Sequence, residues 1–383
     1  MTMTATDVAD IVDVLRRARP DFDRLATQVD RSQEFSPELW SLLCTLGVPS
    51  LPFAEADGGI GGSYVAYVQG IEEVATAGAV AALYPGPTVQ VASAVLRFGS
   101  PEQRERWGRR LVGGEAMGAW SFTEPQTGSD PRQVSTTATR DGDGWVLRGA
   151  KMFTSFAPHA DVAIVYARTS PTRLGAFLVP TDNPGWQPGA PIKMLAFGGQ
   201  GTCPVAIDDL RLPGSALLGR EDQGFEIMVG TEAEAKVRAG AICLGIGRRA
   251  LEESVRYAHE RQHRGESVGE KFPTVQALIG EISAQVDGAR ALVHRAAAAI
   301  DAGAPEVSRL AASTRIVAAR MAREVSGLAL QVCGAYGWTQ EMVLERLYRE
   351  GKFYEVGQGV IELQKIIVGK RRLEEFRTTG RLG

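Results

Sequence analysis

The chain has 383 residues, of which 44% are hydrophobic and 23% charged, enough to bury a sizeable core in two or three domains. A formal net charge of −3 argues against a nucleic-acid or anionic-membrane protein. Four cysteines (Cys44, Cys203, Cys243, Cys333) and four histidines are scattered without a metal-ligand spacing, so we expect no metal and a reducing, cytoplasmic compartment.

In chain order, residues 1–118 read as a helical domain. Val8, Ile11, Val12 and Leu15 recur at helical spacing, as do Leu39, Leu42 and Leu43 after the Ser36-Pro37 start signal. Gly58-Gly59-Ile60-Gly61-Gly62 breaks the pattern as a loop. Tyr64 to Ala77 is helical again, and Ser100-Pro101-Glu102-Gln103 opens a further helix. The longest apolar stretch, Ala77 to Leu96, is cut by Pro85-Gly86-Pro87, which argues against a membrane span. Asp7 and Asp10 precede any basic residue, and with no apolar h-region we expect no signal peptide.

The texture changes over 119–225, where short β-branched segments alternate with hairpin signals such as Asp141-Gly142-Asp143-Gly144. This reads as a central β domain, a barrel or sandwich. It opens with Trp120-Ser121-Phe122-Thr123-Glu124-Pro125-Gln126-Thr127-Gly128-Ser129-Asp130, a short apolar strand broken at Pro125. The small residues after the break leave backbone N–H groups and hydroxyls open to a nucleotide-like ligand. The same pattern is ordinary turn chemistry when taken alone.

Residues 226–383 return to long helices, over about Glu232–Arg261, Thr274–Ala302, Pro305–Cys333 and Val356–Thr378, the composition of a four-helix bundle. Gly245-Ile246-Gly247-Arg248-Arg249-Ala250 matches a dinucleotide fingerprint, but it falls inside a helix with no preceding strand and reads as close helix packing.

This order of blocks, with its motifs, resembles the acyl-CoA dehydrogenase family over nearly the whole chain. The motifs are the Gly58-Gly59-Ile60-Gly61 loop, the Thr123-Glu124-Pro125 element through Asp130, and Lys151-Met152-Phe153-Thr154-Ser155. Asp208 to Pro213, Tyr257 to Arg261 with Gly265 and Gln276, Gln331 to Gly337 and Glu345 to Lys352 come after them in the family's order. The resemblance implies FAD, an acyl-CoA or carrier-bound acyl thioester as substrate, and a homotetramer or a heterotetramer with a related subunit. By the same carry-over, Trp120, Phe122, Thr123, Ser129, Phe153 and Ser155 would line the flavin, with Phe153 in place of a usual Trp. Arg261 would pair with the diphosphate of the subunit opposite, Gln331 and Gly334 would hold the adenosine end, and Ser129 and Lys236 would contact substrate. Each also has a plain structural reading: turn hydroxyls, core aromatics, a helix-end charge.

The chemistry of the family removes an α-proton with a carboxylate base. The position that normally carries this Glu is Gln358, and the alternative base position on the first bundle helix is Ala235, followed by Lys236. Nearby Glu232 and Glu234 read as solvated charges at a helix start, and Glu355 as structural. Val360 and Arg264 also replace family residues near the cofactor. We therefore expect an acyl-CoA dehydrogenase-type flavin oxidoreductase, with three explanations for Gln358. The chain is the base-lacking partner in a hetero-oligomer, or its flavin reaction needs no α-deprotonation, or an isosteric exchange has replaced a native Glu. A non-redox thioester-binding scaffold is the remaining alternative.

Overall fold

The computed structural model describes residues 5–130 and 133–382. The chain divides into two compact units. One comprises Val29–Ser63 and Tyr84–Ala235; the other comprises Ala5–Gln28, Tyr64–Leu83 and Lys236–Gly383.

The first unit is built on a sheet. In chain order the helices before the sheet are α1 (Ala5–Arg17), α2 (Arg19–Ser32), α3 (Pro37–Thr45), α4 (Tyr64–Ala77), α5 (Ala79–Leu83), α6 (Pro85–Phe98), α7 (Pro101–Gln103) and α8 (Arg109–Val112); the short α10 (Val268–Lys271) comes later. Helix α3 is capped by Ser36, whose hydroxyl accepts from the Leu39 N–H at 3.1 Å, with Pro37 at the first helical position. Pro85 likewise takes the first position of the helix Pro85–Phe98, there without a side-chain cap. At Ser100 a capping box forms with Gln103, and the Gln103 amide donates onward to the carbonyls of Ser215 and Leu217 at 2.8 and 3.0 Å. The segment Ala79–Phe98 is apolar and long enough to span a membrane, yet 83% of it is buried inside the fold, as a core segment would be.

The strands are β1 (Gly118–Ser121), β2 (Thr137–Asp141), β3 (Gly144–Thr154), β4 (Val162–Ser170), β5 (Arg173–Pro180), β6 (Trp186–Pro188), β7 (Cys203–Leu212) and β8 (Leu217–Leu218). They run in the order β6-β7-β3-β2-β4-β5-β8, with β1 pairing in parallel to β4. The expected hairpin at Asp141–Gly144 forms, with Asp141 opposite Gly144 and Gly142 at φ 58°. The sheet does not close into a barrel, which corrects that part of the expectation. Its edge strands are three and two residues long, and one ends on Pro188, which has no N–H to offer a further strand.

The second unit is helical. Its long helices are α9 (Gly224–Glu260, whose first turns belong to the sheet unit), α11 (Pro273–Asp301), α12 (Val307–Cys333) and α14 (Ile361–Thr379). A shorter helix, α13 (Leu344–Val356), occupies a stretch where the sequence pattern indicates only a break between helices. The α4 helix (Tyr64–Ala77) is almost wholly buried, and its two carboxylates are neutralised. Arg290 reaches Glu72 at 2.6 Å and Arg248 reaches Glu73 at 2.9 Å. Burial alone would raise the Glu72 pKa, but His294, Arg290 and Arg248 hold it at about 2.

The dinucleotide-like glycines are packing residues, as their place inside a helix implies. A Cβ on Gly245 would stand 2.7 Å from the Ala75 carbonyl carbon, and one on Gly247 would stand 2.6 Å from Met321 Sδ.

Candidate active site

In the sheet unit, the apolar strand β1 brings Trp120 half out of the core. Its ring rests 5.3 Å from that of Tyr166, and Phe122 meets Tyr166 edge-on at 5.8 Å. The chain then reverses at Glu124-Pro125-Gln126-Thr127, where Glu124 N–H donates to the Thr127 carbonyl at 2.8 Å and Thr127 N–H returns the bond at 3.1 Å. Beyond the turn, a Cβ on Gly128 would meet nothing nearer than Thr123 Cγ2 at 3.5 Å. Gly128 and Ser129 are exposed and Thr123 is half-buried, so backbone and hydroxyl groups are open where the sequence placed them.

A buried ion pair, which the sequence did not reveal, holds this turn. Lys151 Nζ donates to Glu124 Oε1 at 2.8 Å and to the Tyr166 carbonyl at 2.6 Å, with both charged side chains fully buried. Glu124 also accepts from the backbone N–H groups of Ser135 and Thr136 at 2.7 and 2.9 Å and from both hydroxyls. Burial pushes the Glu124 pKa up, but Lys151 and these donors outweigh it and hold the carboxyl at about 2. Burial draws Lys151 down to about 8 against the pull of Glu124.

Lys151 also anchors the end of β3. The β3–β7 register slips between Lys151 and Thr154, and there Phe153 takes φ 55°, a conformation unusual for an aromatic residue. The slip turns its ring outward, leaving it 52% exposed. The bulge is tied on either side by Ser121 to Thr154 at 3.0 Å, and by Met152 N–H to the Thr123 carbonyl at 2.8 Å. Ser155 comes next and shares a hydrogen bond with Thr202 at 3.0 Å. The unit therefore gathers Trp120, Phe122, Thr123, Phe153 and Ser155 around the β1 and β3 ends, with exposed aromatic area beside hydroxyls.

In the helical unit, Arg261 directly follows α9. Its guanidinium lies 5.9 Å from the Tyr336 ring, which in turn lies 6.2 Å from that of Tyr257. Gln331 and Gly334 are exposed near the end of α12, and Gly334 adopts φ 57°, ψ −137°. The structure thus brings Arg261 and the Gln331–Gly337 segment to one end of the unit. Arg264 has a structural explanation. It heads a two-residue turn with Gly265, both at positive φ, between Gln262–His263 and Glu266–Ser267. Lys236 is buried.

Gln358 is exposed and sits at φ 53° with Gly359 at φ 83°. Arg315 donates to the carbonyl of Gly357, immediately before it. The carboxylates nearby in sequence are committed. Glu355 accepts from Arg323 at 2.9 Å and Lys352 at 2.5 Å, and these cations lower its pKa against the opposing effect of burial. Glu234, expected to be a solvated charge, is instead paired with Arg97 and bonded by Ser93 at 3.1 Å.

The chain matches the models of the acyl-CoA dehydrogenase N-terminal domain over residues 12–115, the middle domain over 119–210 and the C-terminal domain over 222–373. The chain belongs to the acyl-CoA dehydrogenase family. It is 31% identical to a probable acyl-CoA dehydrogenase, YngJ, of Bacillus subtilis over 91% of this chain and 93% of that protein. It is also 31% identical to an acryloyl-CoA reductase (NADH) of Anaerotignum propionicum, over 92% and 91%. The structure of butyryl-CoA dehydrogenase from Megasphaera elsdenii superposes with a TM-score of 0.91 at 29% identity, covering 97% of this chain and all of that one. This family is one of flavin oxidoreductases, and FAD is the cofactor. The residues present fit it: exposed aromatic area and hydroxyls on the sheet unit suit a flavin, and on the helical unit the exposed Arg261 guanidinium near the Tyr336 ring suits a diphosphate.

Proposed function

We propose that this chain oxidises or reduces an acyl thioester, carried on CoA or a carrier protein, in a cytoplasmic tetramer of like or related subunits. Trp120, Phe122 and Phe153 line the flavin, and Thr123, Ser129 and Ser155 offer hydroxyls to it. Arg261, Gln331 and Gly334 hold the diphosphate and adenosine end, and Ser129 and Lys236 contact substrate. FAD, when bound, supplies a hydride acceptor or donor for the β-carbon.

The observation that carries the proposal is the Gln358 loop. It has a left-handed backbone at Gln358 and Gly359 and a hydrogen bond from Arg315 to the Gly357 carbonyl, and the exposed side chain it carries is an amide. An amide orients a ligand by hydrogen bonding and takes no proton. With Glu234 and Glu355 committed to ion pairs, this chain's own residues favour a reaction that needs no carboxylate at the α-carbon. Reduction of an enoyl thioester is such a reaction only where water supplies the proton: the β-carbon would receive a hydride and the α-carbon would take its proton from solvent, since the Gln358 amide can neither take nor give one. The second reading, a base supplied by a related subunit, is favoured by the neutral residues at both base positions, Ala235 and Gln358.

Anaerobic flavin spectra of the purified chain with a panel of acyl-CoAs provide the test. Gln358→Glu should speed flavin bleaching by saturated acyl-CoAs about 10²–10⁴-fold. A flavin that stays oxidised under every acyl-CoA, in both proteins, rules the oxidoreductase out for the isolated chain. Co-purification with a homologue bearing the Glu, together with flavin loss in isolation, supports the second reading.

A further inference from the structure

Gln364, in the first turns of α14, is fully buried, yet neither its amide oxygen nor its amide nitrogen meets a hydrogen-bond partner among the described residues. By contrast the buried Gln103 amide donates to the Ser215 and Leu217 carbonyls at 2.8 and 3.0 Å. An amide taken out of water without a bond is costly, and an apolar side chain of the same size would serve packing better. Gln364 does not cap its own helix either, since α14 opens at Val360 without a side-chain cap.

The amide lies against the loop that carries Gln358. A Cβ on Gly359 would stand 3.1 Å from Gln364 Nε2. That loop has open polar groups of its own. The N–H groups of Gln358, Gly359 and Val360 donate to no backbone carbonyl among the described residues, and the carbonyls of Gln358 and Gly359 accept from no backbone N–H there. The loop is held only at its ends. Gly357 donates to the Phe353 carbonyl at 2.7 Å and accepts from Arg315, and the Val360 carbonyl accepts from the Leu363 N–H at 3.1 Å. Between these points Gln358 and Gly359 hold φ of 53° and 83°, with no backbone bond to fix the left-handed pair. An unspent donor and an unspent acceptor on Gln364 thus stand beside a stretch of backbone that lacks both.

We propose that Gln364 is the positioning residue for Gln358, an inference that rests on the reading above in which Gln358 orients the thioester. In the working arrangement of the FAD-loaded protein, the Gln364 amide oxygen accepts one loop N–H and its nitrogen donates to one loop carbonyl. Those bonds fix the backbone on which the Gln358 side chain stands. They also give a reason for glycine at 359 beyond its positive φ, because a Cβ there would crowd the amide away from the loop.

The test is a double-mutant cycle on the holoprotein, titrated calorimetrically with crotonyl-CoA, an enoyl thioester. Gln364→Met keeps the bulk without the polar atoms and should weaken binding about five- to tenfold. Gln358→Ala should weaken it by a similar factor. The double variant should bind no more weakly than Gln358→Ala alone, because Gln364 acts through a side chain that is already gone. A packing role gives unchanged affinity in Gln364→Met, or losses that multiply in the double variant, and either result overturns the proposal. If Gln364→Met fails to load FAD, Gln364→Glu, equal in length, takes its place in the cycle. Crotonyl-CoA that binds none of these proteins removes the thioester reading instead, and the loop is then read by hydrogen exchange of the Gln358, Gly359 and Val360 amides in the holoprotein. Faster exchange in Gln364→Met than in wild type sustains the positioning role; equal exchange overturns it.

Discussion

Lys151 and Glu124 do at the residue scale what a run of hydrophobic contacts does elsewhere: they fix one backbone arrangement by making alternatives costly. The pair joins the turn after β1 to the end of β3, so it positions Thr123 and Phe153 together. Lys151→Met leaves Glu124 buried without its cation and should cost about 3–5 kcal/mol in chemical denaturation. The double variant Lys151→Met/Glu124→Gln should recover part of that loss. On the acid side the pH dependence comes from the carboxyl, whose pKa falls from its ordinary 4.5 to about 2 on folding. Its stabilising contribution is complete above about pH 4.5 and is lost as the pH falls toward 2, because the unfolded chain binds the proton first. Lys151→Met should therefore flatten the acid limb of stability against pH, and an unchanged acid limb would disprove this assignment. None of this is legible in the sequence. Lys151 lies beyond a register slip between Leu147 and Gly149, which breaks the in–out alternation that side-chain placement is read from. The burial of Gln364 stays hidden for a related reason, since a glutamine near a helix start reads as a solvated side chain.

At the scale of the element, pattern and outcome agree where local chemistry decides. Ser36-Pro37 and Ser100-Pro101 start helices because the serine hydroxyl accepts from one orphan donor of the first turn and the proline, lacking an N–H, removes another. Asp141 to Gly144 turns because glycine takes the positive φ. Strand order, the parallel pairing of β1 with β4 and the open sheet edges depend on long-range partners, and no window of sequence contains them. Helix α13 is hard to see because the glycines and aromatics flanking it mask a pattern that packing against α12 completes. The helix glycines permit a two-sided prediction. Gly245→Ala places a methyl against Ala75 and should destabilise by about 1–3 kcal/mol. Gly280→Ala on α11 meets nothing within 4 Å and should stabilise by about 0.5–1 kcal/mol. Thermal melts of the two variants should shift in opposite directions. If both fall, the space around Gly280 is taken by something other than solvent.

At the scale of the whole molecule, the helical face left uncovered by one chain is the clearest guide to assembly. Helix α14 buries Ile361 and Gln364 but leaves Ile366 53%, Leu373 75% and Phe376 56% exposed. Large apolar side chains spaced at three and seven residues on one helix are costly in water, and each gains about 1.5–3 kcal/mol when covered. The tetramer proposed above provides that cover if α14 lies at a contact between subunits. Replacing Leu373 and Phe376 together by Lys should then reduce the assembled mass measured by light scattering. It should leave the circular dichroism of the chain unchanged, since neither side chain supports the fold of its own subunit. FAD content should fall in parallel if Arg261 and Gln331 reach a cofactor shared with a neighbour. A variant that keeps both its mass and its flavin would place the subunit contact elsewhere on the molecule.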